Sequence, residues 1–212
     1  KAVEYARDRV QSRAVGSPDP AGVAIVRHPD VRRMLMTMKA QIEAQRALAF
    51  YAAAALDRAA CDPVASEAAR SQALVNFLIP IVKGWNTEQA NEITSLAMQI
   101  HGGMGYIEET GVAQYCRDAR ITSIYEGTTG IQALDLIGRK TASEDGVTAR
   151  WLLEEVKVTA GKLVAAGYAS LAANLEAAAK DAERCVAFIL ETFGSRPQLA
   201  AAGSVPFLKL MG

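Results

Sequence analysis

From position 29 onward, apolar residues recur three or four apart along most of the chain. Val31, Met34, Leu35, Met38, Ile42, Leu48, Ala52 and Leu56 fall on one face of a predicted long helix over 29–60. His28-Pro29-Asp30 supplies its start, because proline suits a first helical turn and an early acid suits the helix dipole. Cys61-Asp62-Pro63 forces a turn. The pattern resumes over 65–82 through Ala69, Ala73, Leu74, Phe77 and Leu78, with Pro80 and Gly84 weakening its end. Asn86 or Thr87 caps a further predicted helix to 101, which turns Ala90, Ile93, Leu96, Ala97 and Ile100 inward until Gly102 and Gly103 stop it. The stretch 102–105 reads as loop, and shorter helices are predicted over 111–123 and 129–140. Upstream, Lys1 to Val10 reads as the end of a charged helix with no start signal, as in a chain cut within an element. Gly16, Pro18 and Pro20 make 13–27 a loop.

Thr141 to Gly146 is polar and glycine-containing, the best linker in the sequence, and a boundary is placed there. Beyond it, Trp151, Leu152, Val156, Leu163 and Val164 mark one helix. Leu175, Ala178, Ala182, Cys185 and Ile189 mark a face of an alanine-rich second one over 171–193, so the two form an antiparallel pair. Gly194-Ser195-Arg196-Pro197 ends it, and the remainder from Gln198 is too short and mixed to assign. No alternating stretch of useful length occurs, so the fold class is all-α.

Composition narrows the function. In 212 residues, half of them hydrophobic, there is enough apolar surface for a sizeable core. Lys plus Arg equals Asp plus Glu at 23 each, and no long basic run stands out, so neither nucleic acid nor an anionic membrane is indicated as a partner. The three cysteines, Cys61, Cys116 and Cys185, are scattered and odd in number, which signals neither a disulfide framework nor a zinc site, and with two histidines a metal site has little to draw on. No signal peptide or membrane-spanning run is visible, and a cytoplasmic compartment fits.

The chemistry concentrates between Arg117 and Gln132. Ala119, Ile121, Ile124 and Ile131 are expected to hold this segment against a core. Glu126 then sits on the turn between two helices, with Gly127 freeing the backbone and Thr128 and Thr129 able to cap the next helix or donate hydroxyls. Taken bare, Glu-Gly-Thr is a capped turn.

The surroundings add to it. Gln99-Ile-His-Gly-Gly-Met-Gly-Tyr106, Arg117-Asp-Ala-Arg120 and Ile124-Tyr-Glu-Gly-Thr128, in this order and spacing, resemble the C-terminal domain of acyl-CoA dehydrogenases. The resemblance starts near Tyr5, includes His28-Pro-Asp-Val-Arg-Arg-Met-Leu35, and ends near Arg139. It implies a four-helix-bundle-like domain over 1–140 followed by an additional helical segment over 147–212, as in a larger bacterial branch that includes enzymes for unusual acyl or thioether-containing thioesters, without naming the substrate. It also implies an FAD-dependent oxidoreductase of fatty acid metabolism that acts on acyl-CoA, passes electrons to an electron-transfer flavoprotein, and forms a homo-oligomer, a dimer or tetramer. Glu126 is then the base that takes the α-proton, flanked at the substrate by Tyr125 and Gly127. Enclosure against acyl chain and flavin raises a carboxylate's pKa, the direction such a base requires.

By the same resemblance, Arg9 and Gln11 reach the pyrophosphate of FAD held by a neighbouring subunit, and arginine suits a bidentate phosphate contact. His28 is cofactor-proximal. Gln99, Ile100, His101, Gly102 and Gly103 approach the adenosine half, and Thr128, Thr129 and Gly130 contact the flavin. Gly130 stands where many members have glutamine. Arg117, Asp118 and Arg120 read as helix-surface ion pairs. The family's N-terminal helical and middle β-domains are not represented in this chain. Two other readings therefore stand beside the dehydrogenase: a non-catalytic helical oligomerisation domain, and a related flavin-dependent acyl-CoA oxidase.

Overall fold

The structure is a computed structural model that describes residues 1–212. It contains ten α-helices: α1 (Ala2–Asp8), α2 (Pro29–Cys61), α3 (Ala65–His101), α4 (Gly103–Tyr106), α5 (Val112–Thr122), α6 (Thr129–Ile137), α7 (Val147–Ala165), α8 (Ala169–Thr192), α9 (Pro197–Ala202) and α10 (Ser204–Met211). The only β-pairing is one isolated antiparallel bridge, Val10 with Ala24. The fold is all-α, as the periodicity predicts. The stretch from Gln198, unassigned from sequence, is helical in α9 and α10, and α4 begins within the stretch expected as loop.

The chain divides into two compact units, residues 1–47 with 87–125 and residues 48–86 with 126–212, and α2 and α3 each run through both. The first unit has a small core of Ala2, Ala6, Ile25, Met34 and Ile100. The second has a larger one, with Leu74, Phe77, Leu78 and Ile81 of α3 against Leu136 and Ile137 of α6, Leu153 of α7, Val186 and Ile189 of α8, and Phe207 and Leu208 of α10. The helices α7 and α8 are joined through 166–168, where Gly167 takes φ 87° and the Tyr168 amide returns to the Leu163 carbonyl at 2.9 Å, so they pack as the expected antiparallel pair.

Two expectations about packing need correction. The helices expected over 65–82 and 86–101 are one helix, α3, with Pro80 inside it. An interior proline removes a hydrogen bond and costs about 3 kcal/mol. Here Pro80 and its neighbours Leu78 and Ile81 are fully buried, and packing offsets that cost. Gly84 is a packing requirement rather than a stop: a Cβ there would lie 2.7 Å from Leu208 Cδ1. The second correction concerns the segment around Glu126. Ile121, Ile124 and Ile131 are 51%, 45% and 56% exposed, so they lie on the surface of this chain and not against its core. The expected linker at 141–146 is packed: a π-helical stretch, Gly138–Ala142, continues α6, the buried Thr141 donates to Leu136 O at 2.8 Å, and 143–146 form a turn.

Close packing makes a test of the fold. A Cβ on Gly105 would meet Met98 O at 2.3 Å, whereas one on Gly161, inside α7, meets nothing within 4 Å. Gly105→Ala should destabilise by about 1–3 kcal/mol, the usual range for forced overpacking. Gly161→Ala should stabilise by about 0.5–1 kcal/mol. Denaturant midpoints compare the two.

A second test concerns the hydroxyl of Tyr51 on α2, which donates to Glu155 Oε2 of α7 at 3.0 Å. Burial first, then the hydrogen bond and charge of Glu155, push this phenol from 10.0 up to about 12. The unfolded chain releases that proton in a window where the folded chain keeps it, so stability falls as pH rises from 10 to about 12. Thermal unfolding across that window should show a shallower fall for Tyr51→Phe than for the parent.

Candidate functional site

The first unit gathers most of the residues that the resemblance assigns to the cofactor. The backbone accomplishes this through the bridge at Val10 and Ala24. Gln11 N donates to Val23 O at 3.0 Å, Val23 N to Ser12 O at 2.9 Å, and Ile25 N to Arg9 O at 2.8 Å, so the loop leaves α1 and returns beside it. The 3-10 turn Ile25–Arg27 then delivers His28 next to Gln11, and the His28 Nε2–H donates to the Gln11 carbonyl at 2.8 Å. Opposite, α3 ends at His101, and Gly102 takes φ 60° and ψ −142°.

The result is an open groove of about 480 Å³ lined by Arg9, Gln11, His28, Gln99, Ile100, His101 and Gly102. Gly103 is not among its lining residues, since it already belongs to α4. His101 is buried. Its Nδ1–H donates to Ala97 O at 2.7 Å and its ring stacks on Tyr5 with centroids 4.3 Å apart, which fixes the ring. Arg9 Nη2 reaches Gln11 Oε1 only at 3.4 Å, so most of its five donors remain available. A side chain at Gly102 would meet nothing within 4 Å, so the groove floor there is bare backbone.

Sequence reasoning missed Tyr5, Ser12, Arg13, Val15, Ile25 and Val31, which line the same groove. Tyr5 stands one helical turn before Arg9, and that spacing was the available signal. The others are placed by the returning loop, which has no pattern of its own.

Glu126 to Gly130 lies in the second unit, and Tyr125 is the last residue of the first. Helix α5 ends at Thr122, and the buried Ser123 receives hydrogen bonds from Arg120 Nη1 at 2.7 Å and Asn91 Nδ2 at 3.5 Å. Two left-handed residues follow Tyr125: Glu126 at φ 52° and Gly127 at φ 88°. Their carbonyls are both held, Glu126 O by Gln132 Nε2 at 3.2 Å and Gly127 O by Lys83 Nζ at 2.5 Å. Thr128 caps α6, its hydroxyl accepting from Ile131 N at 3.4 Å, while Thr129 is buried. The Glu126 side chain is exposed and its carboxylate has neither ion pair nor hydrogen bond, so it stands free on a fixed backbone. Tyr125 is half exposed beside it in sequence.

The charged residues upstream are engaged on the surface. Arg117 meets Glu108 at 3.5 Å and Gln114 at 2.7 Å, and Asp118 accepts from Gln114 at 2.6 Å. Lys83 and Gln132, which fix the turn, were not singled out from sequence, because a lysine or glutamine inside a helix gives no signal of a long-range partner.

With this geometry established, comparison with known proteins is informative. The family description "Acyl-CoA dehydrogenase, C-terminal domain" matches residues 1–141. The 3-methylmercaptopropionyl-CoA dehydrogenase of Ruegeria pomeroyi is 50% identical over 217 residues, 100% of this chain and 36% of that protein. The broad-specificity linear acyl-CoA dehydrogenase FadE5 of Mycobacterium tuberculosis is 41% identical over 150 residues, 69% of this chain and 24% of that protein. In fold, Caenorhabditis elegans ACDH-11, solved in complex with C11-CoA, superposes over 98% of this chain and 33% of its own with a TM-score of 0.75 at 21% identity. The chain therefore spans about a third or less of the length of these relatives. On the match over two thirds of its length, the chain belongs to the acyl-CoA dehydrogenase family.

Proposed function

We propose that this chain is the C-terminal part of an FAD-dependent acyl-CoA dehydrogenase in which Glu126 removes the α-proton of an acyl-CoA thioester. The observation that carries the reading is the pair of left-handed residues at 126 and 127, held by both carbonyls while the Glu126 carboxylate remains unpartnered. A general base needs a free lone pair at a defined point, and an architectural carboxylate needs a partner; Glu126 has the first and lacks the second. The α C–H bond breaks, its proton passes to a Glu126 oxygen, and its electron pair becomes the new bond between Cα and Cβ. FAD, when bound, supplies the acceptor for the β-hydrogen and its electron pair.

The first-unit groove suits part of that cofactor. Arg9 offers unused guanidinium donors to a pyrophosphate, and Gly102 lets an adenosine approach the backbone closely. In the domain division that goes with this reading, 1–140 is the dehydrogenase C-terminal domain and 147–212 an appended helical segment. The name of the half-identical relative makes 3-methylmercaptopropionyl-CoA the first thioester to try, with linear acyl-CoAs second. An electron-transfer flavoprotein is the proposed electron partner, and a 30% identical relative is itself named as a subunit of a caffeyl-CoA reductase-Etf complex. The exposed Ile121, Ile124 and Ile131 support a homo-oligomer or coverage by the rest of a longer protein.

In the full-length protein, Glu126→Gln keeps size and shape but removes the proton acceptor. Exchange of the bound thioester's α-protons with deuterated solvent, and bleaching of flavin absorbance on rapid mixing, should each slow by roughly 10²–10⁴-fold, with acyl-CoA affinity retained. A rate within a fewfold of the parent would move the base elsewhere.

Arg9→Ala tests the groove. Reconstitution of apoprotein with FAD, followed by absorbance, should show affinity weakened about 10-fold or more, as expected for a lost charge-assisted phosphate contact. Unchanged affinity would remove Arg9 from the cofactor.

A further inference from the structure

We infer that Lys83 is a positioning residue for the Glu126 carboxylate, acting through the Gly127 carbonyl. The inference rests on the reading of Glu126 as the base and goes beyond it by naming what sets its geometry. A non-glycine residue at φ 52° is held in a conformation that costs of order 1 kcal/mol and persists only where surrounding structure fixes it. The fixing groups are visible. Gln132, on α6 itself, donates to Glu126 O at 3.2 Å and restrains the turn locally. Lys83 comes from a different helix, α3, and donates a charge-assisted bond to Gly127 O at 2.5 Å from a half-buried position. Two successive peptide planes after Glu126 are thereby pinned, one from within the turn and one from outside it.

The position of Lys83 is itself determined by packing. It lies two residues after Ile81 and one before Gly84, against which the Leu208 side chain packs closely. An ammonium used merely for solubility would extend into water. This one ends on a main-chain carbonyl adjacent to the proposed base. Loss of the bond frees rotation at Gly127, the one residue of the turn without a side chain to limit it, and so moves the carboxylate from the point where an α-carbon must meet it.

The test uses the full-length protein carrying Lys83→Met, Lys83→Arg, Glu126→Gln and the double variant Lys83→Met with Glu126→Gln. Gln132→Met serves as the second route to the same turn should Lys83→Met not fold. Three quantities are read: deuterium exchange into the α-position of bound thioester, thioester Kd by titration, and melting temperature. The expected result is exchange slowed ~10–100-fold in Lys83→Met, the scale of a misplacement near 1 Å. Kd should stay within about 3-fold on the same principle of geometry lost without binding lost. Lys83→Arg should recover part of the rate, and the double variant should be no slower than Glu126→Gln alone. Parent-like exchange in Lys83→Met, with Glu126→Gln slow, overturns the positioning role and leaves the base intact. Parent-like exchange in Glu126→Gln overturns the base and the positioning role with it. A Lys83→Met effect that persists undiminished in the double variant, or that tracks melting temperature through all variants, overturns it in favour of a role in folding.

Discussion

The burial of Leu74, Phe77, Leu78 and Ile81 against α6, α8 and α10 is the constraint on which most of this structure depends. It keeps α3 helical through Pro80, where the backbone alone would favour a break. It brings Leu208 so close to Gly84 that a side chain there would force Leu208 to shift. Removing that many buried methyl groups from water contributes several kcal/mol, each large side chain accounting for roughly 1.5–3 kcal/mol, so the helix interior can contain a poor residue. The continuity of α3 then has a chemical consequence. Lys83 is carried at a helical position fixed by its buried neighbours, and its reach to Gly127 follows from that register.

The first unit works by a different means. Its core is small, and the groove is assembled by main-chain hydrogen bonds between 9–12 and 23–25 rather than by apolar burial. Such bonds are indifferent to side-chain identity, so Gly16, Pro18 and Pro20 can occupy the loop between them without disturbing the alignment of Arg9 with His28. A proline-rich excursion is therefore compatible with a precise site at its base.

These two modes explain what could be read from the sequence. Helices with one buried face declare themselves by spacing, and α2, α3, α5, α6, α7 and α8 all lie where the pattern puts helix. The merging of two expected segments into α3 was not legible, because Pro80 and Gly84 are local signals and the packing that overrides them arrives from α6, α8 and α10, far along the chain. Glu126 was singled out through its neighbours in the chain; Lys83 and Gln132 were not, because a side-chain bond to a distant carbonyl leaves no trace in spacing. The inward assignment of Ile121, Ile124 and Ile131 was mistaken for a related reason. Apolar character alone does not say that a side chain is buried, because much of a folded protein's surface is apolar.

That last point bears directly on the chemistry. A carboxylate open to water is a weak base toward a carbon acid, since solvation stabilises its charged form. Glu126 is exposed in this chain, and so are the isoleucines flanking it in sequence at 124 and 131. On the proposed reading, whatever encloses Glu126 in the full-length protein must exclude water from it, the direction a base of this kind requires. Within this chain the backbone of the turn is held by the bonds from Lys83 and Gln132. On the proposed reading, the position of the carboxylate comes from contacts within this chain. A change at Lys83 should disturb the geometry of the turn that carries the carboxylate.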